Sequence, residues 1–207
     1  LIQPDPIQAI VMAKMEDLNA ALSEYSKQMG RTGWLARLSL TGSTMPPPRG
    51  LYLYGGVGRG KTMIMDLFYD HCCVGDGSKQ HVHYHAFMQE VHRRLHSFRE
   101  AQKVGSIDSK RDAVEALANI IAQHAWLLCF DEFHVTDIAD AMILGRLFEK
   151  LFDRGIVVIA TSNRHPKELY SNGLQRELFL PFIDLFQNKL TVFELDNDKD
   201  YRLERLR

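Results

Sequence analysis

The chain has 207 residues, 45% of them apolar and 25% charged, and a net charge of −1. That length supports one domain with a sizeable core, or one domain and a small appendage, and the composition is that of an ordinary soluble globular protein. The balanced charge gives no global attraction to nucleic acid or to an anionic membrane. Cys72, Cys73 and Cys129 lack the CxxC spacing of a metal site and read as reduced thiols in a cytosol-like compartment. No stretch approaches the roughly 18 apolar residues of a membrane span, and no signal-peptide pattern opens the chain. The first residue is Leu1 rather than Met, so the expectation is an excised or processed piece.

Residues 7–29 place Ile7, Ile10, Val11, Leu18, Ala21, Leu22 and Tyr25 at helical spacing, and Gly30 is expected to stop that helix. Residues 41–50, with prolines at 46, 47 and 48, cannot continue a helix, because proline lacks the N–H and fixes φ. The expected division is a helical arm and linker over 1–48 and a main domain over 49–207. From residue 50 the pattern alternates. GLYLYG is a short apolar strand, followed by a glycine loop and a helix from about Lys61 to His71. HVHYHAF (81–87) reads as a strand giving way to a helix with Phe87, Val91, Leu95 and Phe98 on one face. Residues 112–124 read as a helix capped by Asp112. AWLLCFDE is a buried strand, and the helix of 137–153 puts Ile138, Met142, Leu147 and Leu151 on one side, with Gly155 past its end. GIVVIATSN and LTVFEL supply two more strands. Five short apolar strands separated by helices imply a parallel sheet covered on both faces.

The loop after the first strand runs Gly55, Gly56, Val57, Gly58, Arg59, Gly60, Lys61, Thr62 and fits G-x-x-x-x-G-K-[ST], with Met63 next. Glycines let successive N–H groups turn inward as an anion-binding nest, and the following helix adds its positive end. Lys61 would reach the β- and γ-phosphates of a nucleoside triphosphate, and Thr62 would place its hydroxyl on Mg²⁺. Asp131 and Glu132 close an apolar strand at the sheet edge where ligands gather. Asp131 would hold Mg²⁺, directly or through water, leaving Glu132 to orient and deprotonate the attacking water. Asn163, at the end of VVIATSN, can hydrogen-bond the γ-phosphate or the water. His81, His83 and His85 alternate on the expected strand, but no acid or cysteine interleaves them, so packing or coupling is expected rather than a metal site. His92 and His96 lack the intervening glutamate of a zinc-protease helix, so a solvated face is expected for them rather than a metal site. Asp137 and Asp140 are expected to cap and charge the start of their helix. Trp34 and Trp126 read as core or arm-packing residues.

The ordered words GLYLYGGVGRGKTMIMDLFY, HYHAFM, LLCFDEF and ATSN, followed by NGLQR and FLP, resemble the ZapE and Afg-one-like branch of AAA+ ATPases from about Arg49 to Leu203. The resemblance implies an AAA+ P-loop core of strand order 5-1-4-3-2 with a helical lid after the last strand. It also implies ATP and Mg²⁺ as cofactors, and a homo-oligomer, a hexamer-type ring, acting on a protein partner. In bacterial members that partner belongs to the division ring and the compartment is the cytoplasm. In mitochondrial members it is inner-membrane protein quality control, with peripheral membrane association. By position, Lys61 and Thr62 form the phosphate-loop pair, Asp131 and Glu132 the magnesium and catalytic pair, and Asn163 the first sensor. Arg176 falls where the family places the finger inserted into a neighbour's site. The family lid carries a second sensor arginine that nothing before Arg207 supplies, so the expectation is a lid-less core that binds nucleotide and hydrolyses it poorly.

The leading function is an ATPase coupling hydrolysis to remodelling of a protein partner. An ATP-binding switch is the alternative, and Glu132 beside Asp131 argues against it, since a pure switch need not keep a base. A nucleic-acid loader is disfavoured by the neutral charge and the lack of an aromatic-basic stripe, so no nucleic acid is expected. A small-molecule kinase does not require the pairing of Asn163 with Arg176.

Overall fold

The computed structural model describes residues 6–38, 46–58 and 60–195, and within the first helix it places the side chains of residues 9–27. Arg59, the side chain of Trp34, residues 39–45 of the linker and residues 196–207, where a lid would begin, lie outside the described residues.

Five strands form one parallel sheet in the order β2-β3-β4-β1-β5, with β1 at Gly50–Tyr54, β2 at Lys79–His83, β3 at Leu127–Asp131, β4 at Val157–Ser162 and β5 at Leu190–Glu194. This is the order expected from the resemblance, read from the opposite edge. The helices are α1 (Pro6–Leu38), α2 (Lys61–His71), α3 (Tyr84–Lys103), α4 (Ala113–His124), α5 (Ile138–Asp153) and α6 (Leu180–Lys189). The connection from β1 to β2 runs one way along the sheet, and those from β2 to β3, β3 to β4 and β4 to β5 run the other way. Right-handed crossovers therefore put α2 on one face and α3 to α6 on the other. In keeping with this, α2 lies against β3 and β4, whereas α3, α4, α5 and α6 touch one another in sequence.

β3 and β4 are central and buried along their whole length, which is why LLCF and VVIA read as continuous apolar runs. The core behind them is aromatic. Phe133 stacks on Phe186 at 5.0 Å and also meets Tyr84, Tyr52, Phe130, Phe148 and Phe182.

Two element ends and one helix face differ from the expectations. α1 runs through Gly30 and Gly33 to Leu38, because a helical glycine costs only about 1 kcal/mol and does not by itself end a helix. β2 ends at His83, opposite Asp131, the last residue of its neighbour β3, and α3 starts at Tyr84. His85 therefore sits on a helix, and the three histidines do not form a strip on one strand. In α5 the buried face is Ala141, Leu144, Leu147, Phe148, Leu151 and Phe152, while Ile138 and Met142 are 39% and 49% exposed. Asp112 and Asp137 cap α4 and α5 as expected, accepting from Val114 N and Ala139 N at 2.8 and 2.6 Å.

The arm is docked. Val11, Met15, Leu18, Leu22 and Tyr25 of α1 are buried, and Tyr25 stands edge-on to Trp126 at 5.6 Å. Its hydroxyl donates to Gly155 O at 3.1 Å, and Asn19 Oδ1 accepts from Cys73 N at 2.8 Å. Trp126 and Gly155 precede β3 and β4, so this end of α1 braces the sheet edge opposite the glycine loop.

Candidate functional site

The glycine loop links the end of β1 to the start of α2. Gly58 and Gly60 hold φ of 79° and 78°, values that favour glycine, so the backbone calls for glycine both at the motif's Gly60 and at Gly58, where the motif leaves the residue open. Lys61 opens α2 and is only 8% exposed. Its ammonium folds back over the loop and donates to Gly55 O at 2.8 Å and Gly56 O at 2.6 Å. The cation thus lies in the mouth of the loop. Val57 and Met63 are exposed beside it.

Asp131, at the end of β3, is 3% exposed, and its Oδ1 collects three donors. Thr62 Oγ1 donates at 3.0 Å, Thr161 Oγ1 at 2.5 Å and Glu132 N at 3.2 Å. The first of these joins the glycine-loop motif to the acidic pair across 69 positions of sequence. At the end of the adjacent strand β2, His83 Nδ1 lies 4.0 Å from Asp131 Oδ2.

Glu132 is exposed at the start of the following loop and has φ 54°, a left-handed conformation that costs a non-glycine residue about 1–2 kcal/mol. Its surroundings hold it there. Its N–H also reaches Thr161 Oγ1 at 3.2 Å, Phe133 N donates to Thr161 O at 2.7 Å, and Ser162 Oγ donates to Phe133 O at 2.8 Å. Such strain persists where neighbours over-determine it, and it gathers at functional positions. His134, two residues on, has its imidazole pKa lowered, first by burial and then by the Arg164 guanidinium.

Asn163 is exposed just past the end of β4, where Ser162 pairs with Tyr54, so it stands level with the first residue of the glycine loop. Arg176 opens a single 3-10 turn, Arg176–Leu178, and its Nη2 donates to Lys167 O at 2.6 Å within its own chain. Its Nε is shielded from solvent with no hydrogen-bond partner among the described residues. The structure thus gathers Lys61, Thr62, Asp131 and Glu132, sets Asn163 at the same edge, and ties Arg176 to the turn at Lys167.

Thr161 and His83 are site residues that the motif reading passes over. Thr161 stands two positions before Asn163 inside ATSN, where polar side chains ending an otherwise apolar, buried strand are themselves a signal. His83 could be found only through strand register.

The Thr62 hydroxyl and Asp131 carboxylate are hard oxygen donors 3.0 Å apart, the type Mg²⁺ takes beside phosphate oxygens, so these residues fit that ion. Among the described residues no group of three or more His, Cys, Asp or Glu side chains could hold a metal, and no helix is long and apolar enough to cross a membrane.

The model of the AFG1-like ATPase family matches residues 2–207. The chain belongs to that family. It is 42% identical over 210 residues to the cell division protein ZapE of Escherichia coli strain K12, covering 99% of this chain and 53% of that protein. It is 48% identical over 164 residues to lactation elevated protein 1 homolog B of Danio rerio, covering 78% of this chain and 32% of that protein. The chain therefore spans about a third to a half of the length of these curated relatives. Among solved structures it is similar to that of DnaI, with a TM-score of 0.57 at 14% identity, covering 95% of this chain and 86% of that one, a likeness of fold.

Proposed function

We propose that this chain is the catalytic core of a Mg²⁺-dependent ATPase, acting as a nucleotide-dependent homo-oligomer that converts hydrolysis into remodelling of a protein partner. One observation carries the reading: the Thr62–Asp131 hydrogen bond at 3.0 Å, formed beside a lysine that lies in the mouth of a glycine loop. A chance glycine turn and a chance acidic strand end have no reason to meet with these particular side chains.

Roles follow from position. The loop N–H groups and Lys61 bind the β- and γ-phosphates, and Thr62 and Asp131 hold Mg²⁺. The bound ion neutralises charge that develops on the transferring phosphoryl group. Glu132, exposed and fixed by its backbone, orients the attacking water and accepts its proton. Asn163 contacts the γ-phosphate or that water from the neighbouring strand end. Arg176 stabilises the transition state in an adjacent subunit once its bond to Lys167 O opens. The E. coli relative is named a cell division protein, which supports a partner from that process; a division-ring component and the bacterial cytoplasm are what the resemblance of the motifs suggests.

The test uses the full-length protein. Equilibrium binding of ATP with and without Mg²⁺ is measured for the parent, Lys61→Ala and Asp131→Asn, together with turnover per chain against protein concentration for the parent and Arg176→Ala. The reading expects Lys61→Ala to abolish binding and Asp131→Asn to remove the Mg²⁺ dependence. It expects parental turnover to rise with concentration and Arg176→Ala to remove the rise. Parental ATP binding by Lys61→Ala contradicts the nucleotide site, and concentration-independent turnover contradicts the oligomeric mechanism.

A further inference from the structure

Glu132 sits in a strained conformation, and its restraints do not stop at Asp131 and Thr161. The residue after it, Phe133, is fully buried, and its ring centroid lies 4.7 Å from that of Tyr84. Tyr84 is the first residue of α3, directly after His83, and its phenol donates to Asp140 Oδ2 at 3.4 Å. The other oxygen of Asp140 is 2.6 Å from His92 Nε2, two turns further along α3. Asp140 itself lies in the first turn of α5, the helix that the 132–137 loop leads into. The loop bearing Glu132 is thus pinned at one end by Asp131 and at the other by a carboxylate shared between two side chains of α3.

Tyr84 is 3% exposed, and its phenol pKa is pushed up by burial and then by the nearby Asp140 charge, so it remains a protonated donor. His92 and Asp140 are partly open to solvent, with side chains 40% and 18% exposed. A carboxylate in the first turn of a helix is already favoured by the positive end of that helix. Its commitment of both oxygens to another helix needs a further reason, and the ring contact from Tyr84 to Phe133 supplies one.

We propose that Asp140, clasped by Tyr84 and His92, is a positioning residue that fixes the 132–137 loop and with it the carboxylate of Glu132. This rests on the hydrolytic reading above. The Tyr84 ring transmits the constraint, because a dense aromatic core passes displacement on instead of absorbing it. Loss of the clasp leaves the phosphate-binding loop intact and lets Glu132 leave its left-handed conformation.

The test compares the full-length parent with Asp140→Ala, Tyr84→Phe, His92→Ala and His92→Gln, the last keeping a hydrogen-bonding side chain. Readouts are kcat, the Kd of a non-hydrolysable ATP analogue, and amide hydrogen exchange at Glu132 and Phe133 against Leu53 as a core reference. Asp140→Ala is expected to lower kcat about tenfold or more, since small misplacements of catalytic groups are costly. Analogue Kd should stay within about twofold, and exchange at Glu132 and Phe133 should rise relative to Leu53. Tyr84→Phe and His92→Ala should show the same pattern more weakly, and His92→Gln should restore the parent. Parental kcat and exchange in all four variants overturn the proposal. So does a uniform rise in exchange, Leu53 included, since that marks a purely structural role. If Asp140→Ala fails to fold, the Tyr84 and His92 variants decide. If the parent turns over no ATP, the hydrolytic reading falls, and the exchange comparison alone decides whether the clasp holds the loop.

Discussion

Thr161→Val removes a hydroxyl while keeping the side chain's shape, at a residue only 2% exposed. The hydroxyl donates to Asp131 Oδ1 at 2.5 Å and accepts from Glu132 N at 3.2 Å. A hydrogen bond to a charged group contributes about 1.5–3 kcal/mol net. Glu132 N keeps Asp131 Oδ1 at 3.2 Å, so the second loss adds little. The expected destabilisation is about 2–3 kcal/mol. At about 2–4 °C per kcal/mol for a chain of this size, Tm should fall by about 4–12 °C. Thermal and urea unfolding of the full-length protein measure it, with Thr161→Ser as the control that retains both bonds and stays near the parent. With Thr161 gone, Asp131 is steered by fewer donors and Mg²⁺-dependent turnover should drop as well. A Val variant with parental Tm and turnover refutes the reasoning, because it means Asp131 is fixed without Thr161.

Other expectations follow from single contacts. A Cβ at Gly50 would lie 1.7 Å from Val158 O across the β1–β4 pair, so Gly50→Ala should cost at least about 3 kcal/mol in urea unfolding, as overpacking at a rigid backbone does. Tyr25→Phe removes the bond to Gly155 O but keeps the ring on Trp126, and should cost about 1 kcal/mol, whereas Tyr25→Ala should cost about 3–5 kcal/mol and expose α1 to limited proteolysis. Glu115 on α4 has its pKa lowered from 4.5 by its hydrogen bond to Lys150, against opposing burial, and by Arg154. A lowered carboxylate pKa gives stability that is present above 4.5 and lost as pH falls through the folded value. Glu115→Gln should therefore flatten the acid limb of the stability–pH curve, by a small amount because the carboxylate is 40% exposed.

The parallel sheet and the glycine-loop and acidic motifs were legible because each rests on local pattern: buried strands read as apolar runs, and Gly58, Gly60, Lys61 and Thr62 are dictated by backbone and charge. The strand order came from resemblance, since periodicity does not encode which strands are neighbours. Three features were not legible for physical reasons. The end of β2 is set by where β3 stops, a long-range fact invisible in HVHYHAF. Ile138 and Met142 share helical spacing with Leu147 and Leu151, but the face of α5 that goes inward is chosen by the aromatic cluster around Phe148. The clasp of Tyr84, Asp140 and His92 joins two helices across 48 residues; the sequence offers Asp140 only as a cap and first-turn charge of α5, whereas the cap is Asp137 and the Asp140 carboxylate goes to α3. The left-handed Glu132 belongs with these, since backbone strain exists only in the folded chain, as do the hydrogen bonds that give Thr161 its place at the site.

The central claim is that Glu132 activates water over a nucleotide held by Lys61 and Thr62. The most direct measurement is single-turnover hydrolysis of Mg²⁺-ATP by the full-length parent and Glu132→Gln, with ATP affinity measured in parallel. The account predicts a fall in rate of about a hundredfold or more, the range of a lost general base, with affinity within a few fold of the parent. Hydrolysis by Glu132→Gln at the parental rate, with ATP bound equally well by both, would contradict it.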